Sequence, residues 1–358
     1  MTSRSHRGFT LIEMMIAMLL GAFIILGITT LFTEASSTVT DVNRMHRQLE
    51  NSLFATDLIS SELSLAGYWG EAGNPIDAKD PTYGPLRGRT DTDGFPLAPV
   101  PACIGTGRTG LLPTVELGWG MEHALVSGNG ATLASELASN ACEGSFSTPS
   151  TNAFFALRRA STCACGQDDC TLEENAYYIQ TNGCFDESIG WNGGEIDIKK
   201  VNTSTVGTEL TYKLYGCTTT APVYNYVSNI YYVNSQEQLV RLYFDKTKYV
   251  EEMLVEGVEH LSFEWYIDTD GDLEHDTVVT QLTPEYSKRV RGIKIWLVVR
   301  GLKPIEEYTD TNTYLIAGNV WEPPASSINY PRILKTHMVD VSRVVTVQRK
   351  GRGKGGRK

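Results

Sequence analysis

Glu13 is the residue with most to explain. Its carboxylate stands at the front edge of an uncharged run, Met14–Thr33, that is 20 positions long. A charge there is costly unless it is matched. Upstream lie Gly8 and Phe9. A peptidase needs a small, flexible residue at its cut, and Gly8 is one. Scission after Gly8 creates an amine on Phe9, one helical turn from Glu13. Cation and carboxylate then close within one chain, or between one chain's amine and a neighbour's Glu13. The second arrangement is a register device, because a subunit docks until the buried charges meet.

Two other groups could do chemistry. Seven cysteines stand at Cys103, Cys142, Cys163, Cys165, Cys170, Cys184 and Cys217. Thiolates at close spacing bind zinc, but C-x-C-x4-C is not a set of paired CxxC units and has no nearby histidine. Disulfides outside the cytosol are the expected state. Cys163 and Cys165 are too close for a relaxed mutual bridge. An odd count leaves one cysteine over, and the sequence does not choose the pairing. The second group is the run DTDGDLEHD, with Asp268, Asp270, Asp272, Glu274 and Asp276. Its oxygens suit calcium, yet the glycine and final glutamate of an EF-hand are misplaced. A hydrogen-bonded acidic turn is the expected reading, with no cofactor. A calcium-dependent thermal stability, lost on changing Asp270 and Asp272, would reverse it. The six histidines fall in no HExxH string, and GxSxG and P-loop motifs are absent. No enzyme is expected.

These groups need elements to position them. At 1.5 Å per residue, the uncharged run makes a helix of about 30 Å, enough to cross a bilayer. A secretory signal core is shorter, and Thr33-Glu34-Ala35 is a poor cleavage site. Arg4 and Arg7 before the run, with Glu34 and Asp41 after it, keep the amino end in the cytoplasm and send the bulk across. Beyond Glu34, apolar residues recur at Val39, Val42, Met45, Leu49, Leu53, Ile59 and Leu63. That spacing continues the helix to Ala66, with Gly67 as its terminator. The outer half should pack on a β-domain, and the inner half against other subunits.

Residues 67–207 read as loop-rich, with short apolar stretches at 111–117 and 131–137. From 208 the pattern is strand-like: 208–217, 227–233, 238–244, 261–267, 293–299 and 338–347, with 234–238 as a hairpin loop. Hairpin loops without crossover helices predict antiparallel pairing. The class is α+β, a long helix on a carboxyl-terminal antiparallel sheet with disulfide-bearing insertions. The divisions are 1–8, 9–66 (about 13–33 in the membrane), 67–207, 208–348 and a mobile basic tail, 349–358. The formal charge of −11 over 358 residues, with that tail as the only basic run, argues against a nucleic-acid-binding body.

The string RGFTLIE, residues 7–13, with its basic leader and apolar helix, resembles the processing signal of type IV prepilins and type II secretion pseudopilins. The resemblance implies cleavage between Gly8 and Phe9, N-methylation of Phe9 by the same prepilin peptidase, and an assembly role for Glu13. Residues 58–70, 265–276 and 289–301 resemble the PilW minor pilins. The segment at 346–349 fits more loosely, and the tail departs from that pattern. The resemblance implies a pilin-like fold in a rare subunit of the pilus tip and priming complex. Such a subunit is needed for assembly and hence for adhesion or twitching motility. The implied partners are other minor pilins, the major pilin, a large PilY-type tip adhesin and the inner-membrane assembly platform. Its location would be the inner membrane, with a periplasmic β-domain, and later the pilus tip. The alternative is a J-type minor pseudopilin of type II secretion, which shares the same signal.

Overall fold

A computed structural model describes residues 10–70, 124–139, 146–166, 170–186, 191–192, 196–246, 248–272, 274–287 and 289–341. Helix α1, Leu11–Leu65, comes first and has 55 residues, so it is about 80 Å long. It ends at Ala66, where Gly67 takes φ +77°. Glycine adopts that left-handed conformation without a Cβ penalty, so the predicted terminator is in place.

Then follow β1 (Leu125–Asn129), α2 (Gly130–Ser139), β2 (Ala153–Ala164), β3 (Ala176–Thr181), β4 (Phe185–Asp186), β5 (Trp191–Asn192), β6 (Ile196–Val201) and α3 (Val206–Glu209). The carboxyl half has β7 (Val223–Val233), β8 (Gln238–Asp245), β9 (Lys248–Glu256), β10 (Val258–Ile267), β11 (Thr277–Val279) and α4 (Pro284–Ser287). Last come β12 (Val290–Arg300), β13 (Tyr314–Ile316), β14 (Asn319–Trp321) and β15 (Arg332–Asp340).

Two antiparallel sheets carry the core. The first runs β1-β2-β7-β3-β6, with β8 also on β7 and β9 on β8. Strand β7 serves β2 along one edge. On the other edge it serves β3 through Val223–Asn225 and β8 through Asn229–Val233. The second sheet runs β11-β10-β12-β15. Alternation in β10 turns Leu261, Phe263, Trp265 and Ile267 inward, and β12 answers with Ile293, Ile295, Leu297 and Val299. Phe155 stacks on Tyr231 of its own sheet and meets Phe263 of the other edge-on. Ala55, Ile59 and Leu63 of α1 join this core. Each large side chain buried there contributes about 1.5–3 kcal/mol.

Three expectations are corrected. The stretch 67–207 is not merely loop: β1, β2, β3 and β6 lie in it and build half the first sheet. The glycines and threonines around them masked apolar runs such as Ala153–Leu157, whose side chains are mostly buried. The expected strand at 208–217 is the end of α3 followed by a loop with a single bridge, Lys213 to Thr220. The final strand starts at Arg332, six positions early, because its register is set by β12 rather than by its own weak alternation. Residues 111–117 and 342–358 lie outside the described residues.

Strand direction gives the domain two poles. Gln48 of α1 donates from Nε2 to the carbonyls of Val299, 2.8 Å, and Pro331, 2.9 Å. The bare part of α1 therefore leaves at the end where β12 finishes and β15 begins. At the opposite end, Val341 donates to Arg291 O, and the turn after β10 begins. With about 3.3 Å per strand residue, the poles are some 30 Å apart.

Candidate functional site

The amino-terminal half of α1 is built for an environment that is not water. Leu11, Phe23, Leu26 and Phe32 are each about two-thirds exposed or more, and the apolar window has a mean hydropathy of 2.5 with none of it buried. Its hydroxyls are satisfied within the helix. Thr29 donates to Ile25 O at 2.7 Å, Thr30 to Gly27 O at 2.9 Å and Thr33 to Thr30 O at 2.8 Å. Such internal pairing is what a polar group needs away from water.

Thr10 and Glu13 form the start of the helix. Thr10 Oγ1 accepts from Glu13 N at 3.3 Å, and Glu13 Oε2 accepts from Thr10 N at 3.2 Å and Thr10 Oγ1 at 3.1 Å. This capping box satisfies donors that a helix start otherwise leaves open. Glu13 thus has a local partner in the single chain, a role that the Thr10-x-x-Glu13 spacing itself signals. Gly8 and Phe9 lie outside the described residues.

Along the outer half of α1 the buried face differs from the expected one. Gln48, Ser52, Ala55, Thr56, Ile59, Leu63 and Ala66 are buried, whereas Val39, Val42, Met45, Leu49 and Leu53 are exposed. The reason is close approach. Small residues bring the helix near the ends of β12 and β15, and Gln48 then reaches two carbonyls. Asn51 Nδ2 adds a bond to Glu256 O at 3.1 Å, and Arg159 pairs with Glu62 at 3.3 Å. The stripe from Val39 to Leu53 instead extends the exposed apolar surface of the inner half, on one flank of the seam. The other flank is polar: Thr40, Asn43, Arg44 and Arg47.

A buried ion cluster locks the insertion between β12 and β15 onto the sandwich. Arg332, with no exposed side-chain surface, meets Glu259 through Nη2 at 2.9 Å and Asp310 through Nη1 at 3.2 Å. Ser327 and the Tyr330 carbonyl complete its bonds. Burial pushes the Asp310 carboxyl up, but donors from Asn312, Tyr314 and Arg332 outweigh it and hold it below the usual range. Beside the lock, His260 packs on Trp321 at 5.7 Å, and burial pulls its imidazole down to about 4. Sequence reading missed this cluster, whose members are separated by loops.

Among the cysteines, Cys163 pairs with Cys170 and Cys184 with Cys217. Both bridges lie toward the pole away from the helix exit, since Cys165 N donates to Val223 O at the far end of β7. Cys165 is the free cysteine among the described residues, and burial raises its thiol so that it stays protonated. Cys103 and Cys142 lie outside those residues.

In the acidic run, Asp268, Asp270 and Asp276 each bring an oxygen within 4.8 Å of the others. Those oxygens are turned to structural use. Asp268 accepts from Gly271 N and from Arg291 Nε at 2.8 Å. Asp270 accepts from Asp272 N, and Asp272 from Glu274 N. Asp276 accepts from Thr269 N at 2.7 Å, and these bonds keep its carboxyl below the usual range. The arrangement is a chain of side chain-to-backbone turns.

Comparison with known proteins bears on both ends of the chain. Residues 226–342 match the family model of the type IV pilus-assembly protein W, and residues 3–29 match that of the prokaryotic N-terminal methylation motif. No curated protein matches the chain. Among solved structures, a type IV-like pilin from Thermus thermophilus aligns at 13% identity with a TM-score of 0.24. That alignment covers 55% of this chain and 82% of the other. At that level it supports nothing further.

Proposed function

We propose that this chain, a PilW-like minor pilin of the type IV pilus, is held in the inner membrane until it enters the tip and priming complex. Cleavage falls between Gly8 and Phe9, and Phe9 is N-methylated. The β-domain waits in the periplasm. The observation that carries this reading is the single unbroken α1. One half is apolar and bare, and the other is packed on the sandwich. Leaving the bilayer is tolerable only if that bare surface passes directly into a bundle of other helices.

Among the described residues, Glu13 is exposed in the single chain and bonds to its own helix start. In the bundle it exchanges that cap for the amine of a neighbour's Phe9, which sets register. The partners are the prepilin peptidase, the inner-membrane platform, the other minor pilins, the major pilin and a PilY-type adhesin above them. The acidic turn serves as a hydrogen-bonded corner and takes no ion.

Mass spectrometry of the membrane-extracted chain tests the core of this reading. The expected amino terminus is Phe9 with one added methyl group. A chain still beginning at Met1, or clipped near Ala35, refutes it. Gly8→Val should retain the leader and abolish incorporation, and Glu13→Ala should insert normally but assemble poorly. Loss of surface pili in a deletion strain with intact protein secretion separates the reading from the pseudopilin alternative.

A further inference from the structure

A cleft of about 500 Å³ opens where α1 leaves the domain, on the polar flank of the helix. Thr40, Arg44 and Arg47 form one wall, and the corner Gly301–Lys303 after β12 forms the other. Gln48 closes its floor through the bonds to Val299 and Pro331. Arg44 is paired with Asp41 at 3.3 Å. Arg47 and Lys303 have no ion-pair partner among the described residues. Glu256 is the one acid on the lining, so cations prevail even with Asp41 counted.

We infer that this cleft receives the first carboxylate beyond the apolar run of a neighbouring pilin-type subunit's amino-terminal helix. In the present chain that residue is Glu34. The inference rests on the assembly reading above and specifies a contact within it. Two physical points favour such an occupant over lipid. Thr40 lies 7 residues and Gln48 lies 15 beyond Thr33, so the cleft spans about 10–22 Å outside the hydrocarbon edge. The polar headgroup layer is only about 5–7 Å deep, so phosphates fall short of it. A subunit with this chain's amino-terminal pattern, in contrast, carries an acidic residue directly after its apolar run, as Glu34 does here, on a helix that passes the mouth of the cleft once it rises.

The match also fixes a stagger. Glu34 precedes Arg44 and Arg47 by 10 and 13 residues. A neighbour must therefore stand about 15–20 Å farther from the membrane for its carboxylate to enter. Two subunits at rest in one bilayer cannot make the contact, and one that is being lifted out can. Charge at such a rim orients docking more than it adds affinity.

The test uses the full chain in cells that assemble pili, with a photo-crosslinking amino acid at Leu302, an exposed residue on the lining. The expected adduct joins Leu302 to a pilin helix peptide containing the first acidic residue after its apolar run. Arg47→Glu combined with Lys303→Glu should lower its yield about fivefold or more, with the Tm of the purified full chain unchanged. A charge-swapped neighbour, lysine replacing that acidic residue, should restore it. A lipid adduct, an adduct to any other segment, or a yield indifferent to the charge reversal overturns the inference. Scoring the Phe9 terminus and pilus incorporation in the same sample separates its failure from failure of the pilin reading.

Discussion

At the scale of single residues, the energetics concentrate in the Arg332 lock. Removing one partner of a buried charge set leaves the others uncompensated, which typically costs about 3–5 kcal/mol. Arg332→Met should therefore lower the unfolding free energy by that order in a urea titration of the purified chain. Removing all three charges, with Glu259→Gln and Asp310→Asn added, should recover part of the loss. His260 makes a separate contribution with a definite sign. Its imidazole is held near 4 in the fold against an ordinary 6.5. As pH falls through that window the unfolded chain takes up the proton first, so stability declines from about pH 6.5 to about pH 4 and levels off below. Above the window the residue contributes no slope. His260→Gln should flatten this component of a Tm-against-pH curve, and an unchanged curve would contradict the assignment.

At the scale of elements, the two faces of outer α1 make opposite predictions. Ser52 is fully buried in the seam. Ser52→Leu forces the helix off β12 and β15, and overpacking of this kind costs about 1–3 kcal/mol. Leu49 and Leu53 are exposed, so Leu49→Gln with Leu53→Gln should leave the Tm of the folded chain within about 1 °C while reducing pilus incorporation. Equal Tm losses from both sets would mean that the stripe, not the small-residue seam, holds the helix. The stripe was legible in the sequence as a period of three to four. Its burial was not, because periodicity reports only that one side is apolar. Which flank meets the sheet depends on how closely the backbones approach.

At the scale of the molecule, the domain is polarised. One pole has the helix exit, the cleft and the Arg332 lock. The other has both described disulfides and the acidic turn. The Cys184–Cys217 bridge closes a span of 33 residues. On the chain-entropy account such a loop is worth about 3–4 kcal/mol. Cys184→Ser with Cys217→Ser should lower the Tm accordingly, with faster hydrogen exchange in 182–222 and unchanged protection in β10 and β12. Even loss of protection across both sheets would show that the bridge supports the core rather than the far pole. Most of this polarity is invisible in sequence, since each pole gathers residues from distant segments, up to 283 positions apart for Gln48 and Pro331.

Glu13, the uncharged run and the strand alternation in 261–267 and 293–299 are local features, and local chemistry determined them: a charge beside apolar residues, a length that matches a bilayer, a period of two. The antiparallel, helix-plus-sheet class follows from them. Tertiary structure alone decided the rest. It recruited β2, β3 and β6 from a stretch rich in turn residues, because a central strand such as β7 can stabilise neighbours whose own propensity is weak. It turned Gln48 inward to bond two carbonyls, and Ser52 inward where a short side chain lets two backbones meet. It brought Arg332, Glu259 and Asp310 together, because a buried charge persists only where distant parts of the chain supply its partners.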